Sequence, residues 1–584
     1  IPAAFRVKGP LKIELLQQVF DEIARRHETL RMVFKTINGL PEVEILPQSP
    51  IKIEYRKLQP SENSKTIEKI IITEARRPFK LETGPLVRVK VLELSPEEFV
   101  IILNMHHIIS DGWSLGVLMN EVGALYRAFR QRQPSPLPEL EIQYVDFAAW
   151  QRNWLQGAVL EEHLTFWKEK LGHGSPPLHL PTDFPRPAAL TANGAHIDFK
   201  IDPALTKKIQ DFCKQHDLTL FMTLLSAFMI VLNKYTAQQD ISVGTPVANR
   251  NRSEIEHLIG FFVNTLVMRG DLNENHTVKE FLMQMKDYAL GAFDHQDLPF
   301  EKVVDAIQPE RDVAHTPLFQ VMFILQNLPV GPQQASDITI EPLAVENGLS
   351  QFELTLSLKE VDKAFEGNLE YNTDLFKEST MRRFIQHYLR MVEAVVSNPQ
   401  LTLKQLSLFS EEEILQLMKS WNETARKIPD IAIHHLIEKQ AHKQPERIAI
   451  VNGNQHMTYG ELNYLSDALA TFLINQGIGS GQQVGISLSR SPYLIVALLG
   501  ILKSGAAYVP LDVNYPRERL EFMVSDSAIS LLITEKSLKE KARFESIPML
   551  LLDEEDSWQD GQKIALPPVS PEQPAYIIYT SGST

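Results

Sequence analysis

The chain has 584 residues, 44% of them hydrophobic and 22% charged, with a formal net charge of -15. That length exceeds a single compact core and, at about 150 residues per domain, implies roughly four lobes, while the composition excludes wholesale disorder and fibrous repeats. An acidic balance without Lys/Arg clusters excludes a nucleic-acid partner, and the single cysteine, Cys213, leaves neither a disulfide framework nor a Cys-based metal set, so a reducing cytoplasm is the expected compartment.

The longest apolar runs, 220–232 and 493–502, fall short of the ~20 residues that span a bilayer and read as buried core helices, so no membrane partner is expected. The chain opens at Ile1 without a signal-peptide pattern and stops at Thr584 inside a Gly/Ser loop, which reads as a piece of a longer protein.

From the N-terminus, residues 11–26 carry apolar side chains at helical spacing (Leu15, Leu16, Val19, Phe20, Ile23), and residues 30–34 turn toward strand. Residues 86–92 and 99–105 read as strands, the second nearly continuous in apolar residues and therefore buried in a sheet. His106 and His107 sit where it ends. Ser114 is placed to cap a helix running to about Arg130, with Leu118, Val122, Leu125 and Phe129 on its buried side. Proline-rich stretches at 134–138 and 176–187 separate this lobe from a second one, giving expected boundaries of 1–170 and 171–408. A polar linker over 409–430 then leads to a third region, 431–584. There strand 455–459, helix 461–476, strand 483–488 and the apolar helix 493–503 alternate as in a parallel α/β sheet.

The strongest chemical signal is His106-His107-Ile108-Ile109-Ser110-Asp111-Gly112-Trp113-Ser114. A histidine exposed at a strand end can be neutral near pH 7 and accept a proton, while Asp111 and Gly112 suit a sharp turn into the next helix. Two ordinary strand-end histidines with Asp111 serving only the turn is the plain alternative. His106 and Asp111 also match the His-x-x-x-x-Asp dyad of glycerolipid acyltransferases, and a His/His/Asp metal site is formally possible. No further ligand cluster or membrane-facing basic helix accompanies them, so no metal is expected.

Further motifs stand in order along the chain. Arg26-His27-Glu28-Thr29-Leu30-Arg31 precedes the histidine loop, and Tyr144-Val145-Asp146-Phe147-Ala148-Ala149-Trp150 follows it. Then come Ile259-Gly260-Phe261-Phe262-Val263-Asn264-Thr265, His295-Gln296-Asp297-Leu298-Pro299-Phe300-Glu301, and Arg311-Asp312 with Pro317-Leu318. Taken singly, Arg-His-Glu would be a solvated helix face, Phe-Val-Asn-Thr an edge strand and Asp-Leu-Pro-Phe a turn into a helix. Together and in this order they resemble the condensation domains of nonribosomal peptide synthetases over residues 1–408, with the family's first motif lying before Ile1. After the linker, Thr458-Tyr459-Gly460-Glu461-Leu462, the run from Leu502 to Asp512 and Tyr579-Thr580-Ser581-Gly582-Ser583-Thr584 resemble the opening of an adenylation domain.

The resemblance implies an α/β fold of two chloramphenicol-acetyltransferase-like lobes, followed by the start of an adenylate-forming α/β domain. It implies amide formation between a donor acyl or peptidyl thioester and an acceptor aminoacyl thioester. Both ride on the phosphopantetheine arms of upstream and downstream peptidyl carrier domains. His107 is the expected central residue, as base or as orienting group, with His106 beside it. Asp111 is expected to accept a salt bridge from Arg31 or Arg250, and the Gly112 N–H to face the developing oxyanion. Arg26, His27, Trp113, Asn264 and Thr265 belong to the supporting motifs, and Trp113-Ser114 resembles the subtype that takes L-configured donors.

Thr580, Ser581, Gly582, Ser583 and Thr584 would open a phosphate-cradling loop. ATP and magnesium would serve the complete adenylation domain only, since its amino-acid pocket and late lysine lie beyond Thr584. Histidine at 106, where heterocyclisation domains carry Asp, and an adenylation start downstream favour condensation over cyclisation or epimerisation. The alternatives from other classes are a catalytically silent domain that recruits a partner, and an acyltransferase using a CoA thioester.

Overall fold

The computed structural model describes the chain except residues 49–50, 60–61, 173–175, 309–313, 327–332, 336–337, 344, 346–347, 545, 555–556, 560–563 and 581–584. It divides into two compact units, 1–420 and 421–584.

The first unit is built on two six-stranded sheets among the described residues. In the first sheet the order is Gln333–Ala335, Ile338–Leu343, Pro2–Lys8, Glu98–Met105, Val87–Ser95, Ile53–Lys57. Strand Glu98–Met105 pairs on both sides and is covered on both faces, which accounts for its nearly unbroken apolar sequence. Phe99, Leu103 and Met105 pack with helices Ile13–Arg26 and Gly112–Arg130, whereas Val100 and Ile102 pack with Ile67 and Ile71 of helix Ser64–Arg76.

The second sheet runs Gly194–Ile201, Ala364–Asn372, Leu354–Val361, Val321–Gln326, Asp240–Val247, Asn264–Asp271. Its core is the expected apolar helix, Leu220–Thr236, which is buried at every position from Met222 to Asn233. No single described helix is long and apolar enough to cross a membrane.

Two expectations need correction. The lobes are not successive halves of the chain, because Ile338–Leu343 leaves the second lobe and pairs antiparallel with Pro2–Lys8 in the first sheet. Strand pairing is a long-range choice that local pattern does not encode. The expected linker also begins too early. Residues Glu411–Met418 form a helix capped by Ser410, whose Glu413 carboxylate reaches Arg390 (3.0 Å) and His387 (3.4 Å) on helix Glu378–Ser397.

The second unit holds a parallel sheet in the order Ala507–Pro510, Gln483–Ser487, Leu531–Thr534, Met549–Leu551, with helices Pro492–Ser504 and Arg517–Ser527 between its strands; the expected strand at 455–459 lies outside it, Gln455–Thr458 pairing antiparallel with Ile448–Asn452 before helix Tyr459–Asn475. Thr458 caps helix Tyr459–Asn475 in a reciprocal box with Glu461. The buried Lys503 donates to Asp467 (2.6 Å) and Asn463 Oδ1 (2.9 Å), which ties that helix to Pro492–Ser504.

Glu413 is held down to about 2, first by the Ser410 N–H, then by Arg390 and His387 against the opposing effect of burial. A depressed carboxylate stabilises the folded state above its ordinary value of 4.5 and loses that contribution as pH falls through the lowered one. Protection of the 411–418 amides, taken relative to their intrinsic exchange rate at each pH, is therefore expected to fall between about pH 4.5 and 2, while Glu413→Ala lowers it already at pH 7 and leaves strand Glu98–Met105 protected; exchange read by mass spectrometry checks both.

Candidate active site

At the end of strand Glu98–Met105 the chain enters one 3-10 turn, His107–Ile109, and then helix Gly112–Arg130. His106 caps the turn: its Nδ1 accepts from the Ile108 N–H (3.0 Å), which leaves the ring proton on Nε2. Its ring stands edge-on to Phe79, 5.7 Å between centroids. The helix cap is Asp111 and not Ser114, because the Asp111 carboxylate accepts from the Ser114 N–H (2.8 Å), which places Ser114 in the first turn.

Asp111 is almost wholly buried, and its partners gather from three segments. The Arg250 guanidinium lies 3.3 and 3.4 Å from its two oxygens, and the N–H groups of Phe262 (3.0 Å) and Val263 (3.3 Å) donate to Oδ2. The Ser114 hydroxyl lies 2.7 Å from Asp111 Oδ1 and 2.9 Å from the Gly260 carbonyl, accepting from Arg250 (3.0 Å) and the Gly260 N–H (3.1 Å). Arg250 also donates to the carbonyls of Ile255 (2.6 Å) and Leu258 (2.7 Å) and stacks 4.0 Å above the Phe262 ring. Burial pulls its pKa down and Asp111 opposes that; a guanidinium stays charged at pH 7 regardless.

Of the two arginines open as partners of Asp111, Arg250 takes the place. Arg31 donates instead to the carbonyls of Ala24 (2.9 Å) and Leu46 (2.5 Å). Arg26 and His27 are not a solvated face either: both are buried against Glu121, at 3.1 and 3.0 Å. Burial by itself raises the Glu121 carboxyl, but His27 and Arg26 outweigh it and hold it below the ordinary range. Sequence reasoning missed Glu121. The signal was present, since it stands three residues after Leu118 and four before Leu125, a carboxylate on the apolar stripe of a helix.

Residues 259–263 are gripped one after another by the first lobe. Thr29 donates to the Ile259 carbonyl (2.7 Å), Ser114 binds Gly260, the Tyr144 hydroxyl donates to the Phe261 carbonyl (2.9 Å), and Asp111 takes Phe262 and Val263. Burial raises Tyr144 to about 12, which keeps its hydroxyl protonated as a donor. A Cβ at Gly260 would run into the Tyr144 ring, so only glycine fits there. Asn264 closes the segment: it donates to the carbonyls of Gln296 and Leu298 (2.7 Å each) and accepts from the N–H groups of Thr265 (2.9 Å) and Phe300 (3.0 Å). Thr265 itself lies in edge strand Asn264–Asp271, opposite Pro246, and Trp113 Nε1 donates to the Glu256 carbonyl (2.9 Å).

Two loop residues stay outside this network, His107 and Gly112, and both are exposed. Partial desolvation pushes the His107 imidazole below its ordinary 6.5, with its own backbone, Ser110 and Asp111 opposing, so it is neutral at pH 7. A Cβ at Gly112 would meet no atom within 4 Å, so neither packing nor a positive φ demands glycine there. Among the described residues no group of three His, Cys, Asp or Glu is arranged to hold a metal. Thr580 is exposed in the second unit, while Ser581, Gly582, Ser583 and Thr584, like Arg311 and Asp312, lie outside the described residues.

The family model described as condensation domain matches residues 1–418. The chain belongs to that family. The condensation domain is followed by a match to the AMP-binding enzyme family over 437–584. Linear gramicidin synthase subunits C and D of Brevibacillus parabrevis are 40% and 41% identical over the whole chain, which spans only 8% and 12% of their lengths. Malpibaldin synthetase of Mortierella alpina is 37% identical, again over the whole chain and 11% of its own length. In fold, the chain is similar over its full length to 45% of a four-domain nonribosomal peptide synthetase bound to AMP and glycine (TM-score 0.85, 24% identity). Over 70% of its length it resembles 93% of the X-domain from teicoplanin biosynthesis (TM-score 0.64, 21% identity).

Removing one member of a buried ion pair strands the other. Asp111→Ala and Arg250→Ala are each expected to lower unfolding stability of the condensation domain by about 3–5 kcal/mol, and the double variant Asp111→Asn/Arg250→Met by less than the sum; denaturant titration of the four proteins checks this.

Proposed function

We propose that residues 1–420 join a donor acyl or peptidyl thioester to an acceptor aminoacyl thioester. The observation that carries this reading is the division of labour within one loop. The Asp111 carboxylate, the Ser114 hydroxyl and both terminal nitrogens of Arg250 are engaged in structure, whereas the neutral imidazole of His107 is exposed, as is Gly112 with open space where a Cβ would stand. In the reaction the acceptor nitrogen attacks the donor carbonyl carbon, a C–N bond forms and the C–S bond breaks. The amine gives up a proton, which His107 is placed to accept, and the departing thiolate takes one up.

The thioesters would arrive on the phosphopantetheine arms of an upstream and a downstream carrier domain. The Cβ-free space above Gly112, at the N-terminus of helix Gly112–Arg130, suits a reacting group that approaches the backbone closely. Its N–H is one of the unpaired donors at a helix start and is suited to a developing oxyanion. His106, engaged as a cap, serves as a positioning residue, and Asp111 with Arg250 sets the loop. Holding two tethered reactants in line is worth an effective molarity of about 10⁵ M or more, against about 10²- to 10⁴-fold for a general base, so positioning carries much of the rate. ATP and magnesium would serve the complete adenylation domain, and no nucleotide step follows from the described residues, which include only Thr580 of the phosphate loop.

In a complete module with carrier-bound substrates, His107→Ala is expected to slow dipeptidyl thioester formation about 10²- to 10⁴-fold. An unchanged rate would leave a partner-recruiting domain, and equal use of CoA-bound donors would favour an acyltransferase. Gly112→Ala is expected to fold with unchanged thermal stability yet lose at least about tenfold in kcat/KM, because its methyl group fills space that only the substrate needs.

A further inference from the structure

His107 has an aromatic neighbour to which the motif chemistry assigns no task. The Phe261 ring lies 4.9 Å from the imidazole, centroid to centroid, at an interplanar angle of 76°, the near-perpendicular arrangement that aromatic pairs favour. The backbone beneath it is fixed on both sides, since its carbonyl accepts from Tyr144 and its neighbours Gly260 and Phe262 are bound to Ser114 and Asp111. The side chain is nonetheless 39% exposed, whereas the adjacent Phe262 is buried under Arg250. Phe262 fills the core; Phe261 presents an apolar ring to the active-site histidine from a rigid support.

We propose that Phe261 is a positioning residue for His107: its ring holds the imidazole in one orientation and shields one side of it from water, leaving the exposed side to the reacting amine. The proposal rests on the reading of His107 as the proton acceptor. A side chain free to rotate would spend only part of its time with a ring nitrogen toward the amine, and one open to water on all sides would become imidazolium more readily and lose its acceptor.

Desolvation is the largest influence on His107. The charged and titratable side chains around it are Asp111, which favours the imidazolium and is itself paired with Arg250, and His106, engaged by Ile108 and Phe79. Residues 259–263 bring no titratable side chain, so what Phe261 contributes to the balance is exclusion of water.

The test uses two readouts. In the full 584-residue chain, the pH dependence of His107 carbethoxylation by diethyl pyrocarbonate is followed by tandem mass spectrometry in wild type, Phe261→Ala, Phe261→Leu and Phe261→Tyr. The reagent reacts with neutral imidazole, so the midpoint reports its titration. Wild type and Phe261→Tyr are expected to share a midpoint below the ordinary histidine range. Phe261→Ala should move up toward 6.5 and label faster, with Phe261→Leu between them. In a complete module, Phe261→Ala is expected to lose about tenfold in kcat with its acid limb moved to higher pH and acceptor KM changed little, as for a weakened general base.

Identical midpoints in wild type and Phe261→Ala, or an unshifted acid limb, would overturn the proposal. The labelling arm does not depend on condensation. An inert His107→Ala substitution alongside a shifted midpoint therefore sinks the catalytic reading while leaving the ring contact in place.

Discussion

The buried pair of Asp111 and Arg250 is the constraint on which the rest of the condensation domain depends. A carboxylate and a guanidinium withdrawn from water need further hydrogen bonds to offset the loss of hydration. Here that demand recruits the Ser114 N–H and hydroxyl, the N–H groups of Phe262 and Val263, and the carbonyls of Ile255 and Leu258. One pair of charges thereby joins the start of helix Gly112–Arg130 to a segment about 150 residues further along the chain.

Around that pair the other motifs fall into place as supports. Arg26 pairs with Glu121 on the same helix and His27 lies 3.0 Å from it, Thr29 holds the 259–263 segment at its start and Tyr144 at its middle, and Asn264 carries the restraint on to Gln296, Leu298 and Phe300. A loop pinned at so many points has little freedom left, and the residues that escape the pinning are the ones that face outward. The exposed imidazole of His107 is thus separated from the structural carboxylate of Asp111, although only three residues lie between them.

Electrostatics follows the same separation. Charge is kept where it is paired, at Arg250, Arg26 and Glu121, and the His107 imidazole is kept neutral by partial removal from water, with an apolar ring as its neighbour. Strand Ile338–Leu343 adds a mechanical counterpart, since by crossing into the first sheet it makes the two lobes share backbone hydrogen bonds as well as side-chain contacts.

The sequence by itself determined the class of fold, most elements and the identity of the loop. Helical spacing at Leu16, Val19, Phe20 and Ile23, the unbroken strand before His106 and the apolar helix around Phe228 are local signals of burial, and burial is what they encode. Only the tertiary structure decided which arginine meets Asp111, that Arg26 and His27 lie inside against Glu121, that Asp111 and not Ser114 caps the helix, and that Ile338–Leu343 belongs to the first sheet. The cap is a local choice three residues apart, but the others depend on which distant segments are brought together. Residue type and short-range spacing say that a charge must find a partner, but the partner is chosen by the packing of segments distant in sequence, 95 residues apart for Arg26 and Glu121 and 139 for Asp111 and Arg250.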